Sequence, residues 1–372
     1  MPDLRDVAVV DQHCHALVPL PDGDIGAWRA CFTESREPDV PDRDVPQTLF
    51  YQRLLGRLAA LLSCSRDEAA VFAARTARQG LLGDLVADAK IDSLVIDRGF
   101  PDGAVLPDSA WREAGVVTAS LLRLEPLMER LVGEHETLAH LQEAMVAALA
   151  EVRAQGYVGL KSIAAYRSGL QVRPWAAEEV ARSLAAARRR AALHRYRIVE
   201  KPLLDHLLLL ALEQAARQEL PVQFHAGYGD LDADLRLGNP LHLRWVLEQR
   251  RFRGMQVVLL HSCYPYTREG AYLATVYSRV HLDLSYGIPF LGLFELEACT
   301  RAALAVAPAT KLLYSSDGVR VPELHWISAG DARQVLGSVL DESVTRGELR
   351  PAEALAMGKA ILGDNARRLY GL

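Results

Sequence analysis

Short apolar, β-like runs recur along this 372-residue chain, and stretches of helical periodicity separate them. This alternation constrains the fold more than any other feature. The runs are Val7–Asp11, Ile91–Asp97, Val116–Leu122, Tyr157–Ile163, Pro221–His225, Gln256–His261, Val280–Leu284 and Leu312–Ser316. Helical patterns lie at Glu136–Gln155, Glu178–His194, Leu203–Arg217, Leu241–Gln249, Arg268–Tyr277 and Phe290–Val306, with a helical tail at Asp331–Leu340 and Pro351–Leu362. Parallel strands need crossover helices. Eight such units in this length predict an α/β chain folded as a closed (β/α)₈ TIM-like barrel, one domain over residues 1–372. No Gly-x-Gly-x-x-Gly follows the first strand, which weighs against a dinucleotide fold.

One connection is long. Residues 16–89 contain no convincing strand; they open with Pro19, Pro21, Asp22, Pro38, Pro41 and Pro46, then read as helices Gln47–Leu62 and Ser65–Arg78. Ser65 followed by Glu68 resembles a capping box. An insertion after strand 1 of a barrel sits at the C-terminal rim, so a helical lid or a dimerisation element is expected there.

Composition narrows the function. Half the residues are hydrophobic, and a net charge of -5 gives no reason to expect nucleic acid or membrane as a partner. The one basic block, Arg188-Arg189-Arg190, fits a solvated helix face. Cys14, Cys31, Cys64, Cys263 and Cys299 show no CxxC spacing, as reduced thiols in a cytoplasm would. The acidic, polar N-terminus does not read as a signal peptide. The longest apolar run, Ala144 to Ala150, is too short to span a bilayer. A cytoplasmic location and a small-molecule substrate follow as expectations.

Ionisable residues gather at the strand ends. Strand 1 ends in His13 and His15, strand 4 in Lys161, strand 5 in His225, strand 6 in His261 and strand 8 in Asp317. Side chains at i and i+2 of a strand share a side, so His13 and His15 aim at one point. Each residue alone suits a satisfied core or rim position, but chance accounts poorly for all of them at C-terminal strand ends, where barrel catalysis lives. Imidazole and carboxylate suit Zn²⁺, with Mn²⁺ or Fe²⁺ as alternatives, and the missing cysteine cluster argues against a closed structural site. An open site acidifies bound water, and Asp317 could ligate the metal and accept the proton. A buried lysine amine can take up CO₂, so Lys161 is either a bridging carbamate or a cation for the substrate.

These residues resemble those of the amidohydrolase superfamily, of the amidohydrolase 2 type. The stretches Gly159-Leu160-Lys161-Ser162-Ile163, His225-Ala226-Gly227-Tyr228-Gly229-Asp230, His261-Ser262-Cys263-Tyr264-Pro265-Tyr266 and Ser315-Ser316-Asp317-Gly318 resemble its FluG-type branch, in which the domain stands alone or is fused to a glutamine-synthetase-like domain. The resemblance implies a metal-dependent hydrolase acting on an amide-type C–N bond, with a γ-glutamyl amide or similar small carboxylated substrate. It implies His13, His15, His225 and Asp317 as ligands of a first metal, with carboxylated Lys161 and His261 holding a second. Without carboxylation the site is mononuclear, and His261 polarises the substrate carbonyl instead. Arg167, Arg236 and Arg268 are candidate carboxylate donors. Tyr166, Tyr264, Tyr266 and Glu323 are candidate pocket residues, and Glu34 of the insertion a candidate for closing over the site. The same ligands also serve non-hydrolytic decarboxylases and uronate isomerases, and a non-catalytic barrel would carry a broken ligand set. A homodimer is the expected assembly.

Overall fold

The computed structural model describes residues 2–20, 23–193 and 196–372. Pro21 and Asp22, and the expected helix end at His194, lie outside them. Strands β1 (Val9–Cys14), β2 (Ile91–Asp97), β3 (Val117–Arg123), β4 (Tyr157–Ser162), β5 (Pro221–Phe224), β6 (Gln256–Leu259), β7 (Val280–Ser285) and β8 (Leu312–Ser315) form one parallel sheet in sequence order. The ring closes where β1 meets the chain after β8: Asp317 N–H donates to His13 O (3.1 Å) and His15 N–H to Gly318 O (2.8 Å). The eight strands and intervening helices make a (β/α)₈ barrel, as the alternation predicts.

The strands read as nearly continuous apolar runs because both of their faces are buried. Val10, Val95, Leu121, Val258, Leu260 and Leu313 pack together inside, with Ala366 and Tyr370 of the helix Asn365–Tyr370 joining them. Several polar groups inside are bonded to one another. The Tyr370 hydroxyl donates to Gln12 Oε1 (2.9 Å), and Gln12 Nε2 donates to Asp283 Oδ1 (3.1 Å).

Several helices differ from expectation. The tail begins earlier, as one helix Pro322–Thr345, opened by a proline whose missing N–H is harmless in the first turn. Leu124–Glu134 is a helix that the periodicity did not suggest; Pro126 falls in its first turn, where it is tolerated. Pro240–Leu243 is a tight 3₁₀ turn leading into a short helix, Arg244–Glu248. Asp67, and not Ser65, caps the helix Glu68–Ala77, its carboxylate accepting from Ala70 N–H.

The segment between β1 and β2 holds the helices Leu49–Leu61, Glu68–Ala77 and Leu81–Ala89. Trp28, Phe32, Phe50, Tyr51 and Phe72 build its aromatic core, with ring centroids 5.2 to 6.3 Å apart. Two buried carboxylates of the helix Pro322–Thr345 tie this core to the barrel. Asp331 meets Arg53 (2.8 Å) and Arg57 (2.9 Å), while Glu323 takes Arg75 and the Trp28 indole N–H (3.2 Å). Among the described residues, no helix is long and apolar enough to cross a membrane.

Removing one partner of a buried ion pair strands the other, at a cost of about 3–5 kcal/mol. Glu323→Ala should therefore destabilise the protein by about that amount in denaturant unfolding; a loss below about 1 kcal/mol would contradict the anchoring role. His281 on β7 gives a pH signature. Burial, with Lys311 adding to it, pushes its imidazole down to about 4, and its Nδ1 has no partner among the described residues. The unfolded chain therefore binds the proton first as pH falls below about 6.5, and stability drops from there toward pH 4 at roughly 1.4 kcal/mol per unit. His281→Gln should flatten the stability profile across that window, and an unchanged slope would refute the assignment.

Candidate metal-dependent active site

The C-terminal strand ends bring six ionisable side chains together. His13 and His15 stand with their rings nearly perpendicular, centroids 5.0 Å apart. The register of β1 against β2 slips between Asp11 and Cys14. Such a slip re-aims side chains. Here Asp11 meets the helix Pro322–Thr345 through His325 (3.3 Å), while His13 and His15 reach Asp317 at the mouth. The His225 ring lies 4.4 Å from that of His261, which in turn is 5.3 Å from His13. Lys161 Nζ comes within 3.4 Å of His13 Nε2.

Asp317 is the hub. Its Oδ1 is 3.3 Å from both His13 Nε2 and His15 Nε2; its Oδ2 is 3.3 Å from His261 Nδ1 and accepts from the Tyr228 hydroxyl at 2.8 Å. Ligand atoms about 2.1 Å from one tetrahedral ion stand about 3.4 Å apart, so the spacing around Oδ1 is that of a ligand shell. The protonation states agree. Burial, with the Lys161 charge next, pushes the His13 imidazole down to about 4, and burial holds His225 and His261 well below their usual range. Burial alone would raise the Asp317 carboxyl, but the imidazoles around it hold it well below the ordinary carboxylate value. Neutral imidazoles beside an ionised carboxylate are what a divalent cation binds.

Supporting residues fix these groups. Asp317 sits at φ +53°, a left-handed backbone that Asp tolerates better than most residues. Asp11 holds the residue before it, taking Ser316 N–H (2.8 Å) and the Ser316 hydroxyl, while Ser316 Oγ accepts from Gly318 N–H (2.8 Å). Asp11, Cys14 and His325 form a second close group of ligand-type side chains. Both Asp11 oxygens are engaged with Ser316, however, and Cys14 is aimed at Val95 O. His261 is anchored through its N–H to Asp283 Oδ2 (2.8 Å). Asp97 at the end of β2 pairs with Arg123 at the end of β3 (2.5 Å). Burial, then the Arg123 charge, pushes the Lys161 amine down to about 8 against the pull of Asp97.

The site opens into a cavity of about 1250 Å³. His15, Lys161, Tyr166, Arg167, His225 and Asp317 line it, as does Glu34 from the insertion. Burial, with Asp317 and Asp230 nearby, raises the Glu34 carboxyl to about 7. The structure does not bring the other expected pocket residues there. Arg236 is exposed and paired with Asp234; Arg268 is exposed on the helix Thr267–Val276. Tyr264 packs its ring on Phe290, and Tyr266 donates to Leu235 O. Glu323 is committed to Arg75 and Trp28, so an ammonium role is closed to it. Tyr228, Asp97 and Arg123 carried no expected role. The strand-end rule that picked out His13 and Lys161 would have picked out Asp97 and Arg123 too.

Fold and site together define a barrel of the metal-dependent hydrolase type. A family model described as amidohydrolase matches residues 10–372, and the chain belongs to that family. It is 38% identical over 223 residues to the protein fluG of Emericella nidulans, covering 58% of this chain but only 26% of that protein. The chain thus spans about a quarter of that relative's length. A crystal structure of a candidate metal-dependent hydrolase from Lactobacillus casei superposes with a TM-score of 0.88 at 30% identity, covering 99% of this chain and 96% of the other. A uronate isomerase from Thermotoga maritima shares the fold at a TM-score of 0.69 and 15% identity, over 98% of this chain and 95% of that one.

Asp317→Asn keeps the shape and tolerates the backbone but removes the anionic ligand. Purified wild-type protein should carry a divalent metal by elemental analysis, and the variant should lose most of it while melting within a few degrees of wild type. Full metal occupancy in the variant would contradict the ligand assignment.

Proposed function

We propose that the protein hydrolyses an amide-type C–N bond of a small carboxylated molecule, γ-glutamyl amides being the first class to test. The observation that carries this reading is the two-sided Asp317: one oxygen faces His13 and His15, the other His261 and Tyr228. His13, His15, His225 and Asp317 would hold the first ion, most suitably zinc. A divalent ion there acidifies bound water toward neutrality. Asp317 Oδ2 is then placed to take the proton of the attacking water and return it to the departing amine. Tyr228 holds that carboxylate in one orientation, and His261 is positioned to polarise the carbonyl. The insertion contributes Glu34 and Arg36 to the cavity wall.

Lys161 supports a binuclear version. Its depressed basicity favours the neutral amine needed to take up CO₂, and its Nζ lies beside His13. In that version the carbamate of Lys161 and His261 would hold a second ion. Membership of the amidohydrolase family and the similarity to the Lactobacillus casei protein support hydrolysis over the other reactions this barrel hosts.

The test is a panel of γ-glutamyl amides, N-acyl amino acids, simple esters and uronates presented to the metal-loaded enzyme, with amine release and isomerisation both followed. Amide cleavage should dominate, and Asp317→Asn, which removes both the proton acceptor and a metal ligand, should lower kcat by at least the roughly 10²–10⁴-fold of general acid–base catalysis. Uronate isomerisation without amide cleavage, or undiminished turnover in the variant, would overturn the proposal.

A further inference from the structure

The cavity wall is rich in arginine, but most of that charge is already neutralised. Arg98 is paired with Asp108, Arg123 with Asp97, Arg36 with Asp230 and Arg197 with Asp232. Arg320 lies over the Phe100 ring, 5.6 Å from its centroid, and its charge acts on Glu34. Arg167 differs. Its side chain is 7% exposed, yet its one ion-pair contact among the described residues is a long one, Nη2 to Glu129 Oε1 at 3.4 Å. That same Glu129 oxygen also accepts Ile198 N–H at 3.0 Å. Arg167 Nε and Nη1 are buried with no hydrogen-bond partner among the described residues.

A buried donor without a partner carries its full desolvation cost, and more so when it bears charge. Burial and then the Arg197 charge press against the Arg167 cation, with Glu129 and Glu125 only partly offsetting them. Guanidinium is a planar donor suited to carboxylate. Arg98, Arg123, Arg36 and Arg197 have their anions, whereas the buried Arg167 guanidinium keeps donors to spare, and a planar carboxylate matches them.

We infer that Arg167 is the carboxylate seat of the cavity, binding a substrate carboxylate through its unpartnered guanidinium donors while the strand-end cluster engages the scissile group. This deepens the proposed hydrolase reading and rests on it for the orientation of the substrate. It also places the specificity-determining cation on the loop after β4, rather than at Arg236 or Arg268. Arg167 positions the substrate and takes no part in proton transfer.

The test is calorimetric titration of the purified enzyme with glutarate and with its neutral counterpart glutaramide, with metal bound and after chelation, and in Arg167→Gln and Arg167→Lys. A charge-assisted hydrogen bond predicts about a tenfold or greater preference for glutarate that survives chelation. Arg167→Gln should abolish that preference, and Arg167→Lys should restore part of it. Because the readout is binding to the chelated protein, it stands whether or not amides prove to be the substrates. A preference that vanishes on chelation would place the carboxylate on the metal and overturn the inference. Equal binding of the two probes by wild type, a glutarate preference retained in Arg167→Gln, or tighter binding of inorganic phosphate than glutarate would do the same.

Discussion

The structure depends on the seam where β1 meets the chain after β8. One set of bonds there closes the barrel and builds the site: Asp317 N–H and His15 N–H lock the two segments together, and Asp11 grips Ser316 immediately before Asp317. The left-handed backbone at Asp317 is sustained by these contacts, because a strained residue persists only where its surroundings over-determine it. The result is a carboxylate delivered to two histidines that come from the other side of the same seam. Barrel closure and the geometry of the candidate metal site are one constraint.

That coupling explains the polarity of the molecule. Inside the barrel most polar groups engage one another, as Gln12 does with Asp283 and Tyr370. At the mouth they are held by their neighbours but left with donor atoms to offer. His13 Nε2, His15 Nε2 and Asp317 Oδ1 converge at ligand-shell spacing, and the insertion builds one wall of the cavity above them. The insertion stays in place through buried pairs on the helix that follows Asp317, so a single helix, Pro322–Thr345, steadies both the roof and the seam.

Much of this was legible in the chain because barrel strands are buried on both faces and end in function. Apolar runs of four to seven residues therefore mark the strands, and the ionisable residues at their C-terminal ends mark the mouth. His13, His15, Lys161, His225, His261 and Asp317 all follow that rule, and the structure brings them together. The arginines and tyrosines were harder to read, since a motif places a residue near the mouth without fixing which way it points. Arg236 found Asp234 two residues away, and Glu323 found Arg75 across 248 residues, a pairing that no local pattern announces. Tyr228 shows the converse. It lies three residues past His225 in a quoted motif, but its bond to Asp317 spans 89 positions and becomes visible only once the barrel is closed.

Binding of a catalytic divalent ion by His13, His15 and Asp317 can be read from anomalous diffraction by crystals of the purified enzyme, collected on both sides of the metal absorption edge. An anomalous peak is expected within bonding distance of His13 Nε2, His15 Nε2 and Asp317 Oδ1, with a second one beside Lys161 and His261 if the lysine carries a carbamate. A metal-loaded, active enzyme whose anomalous density lies away from those three atoms would contradict that assignment.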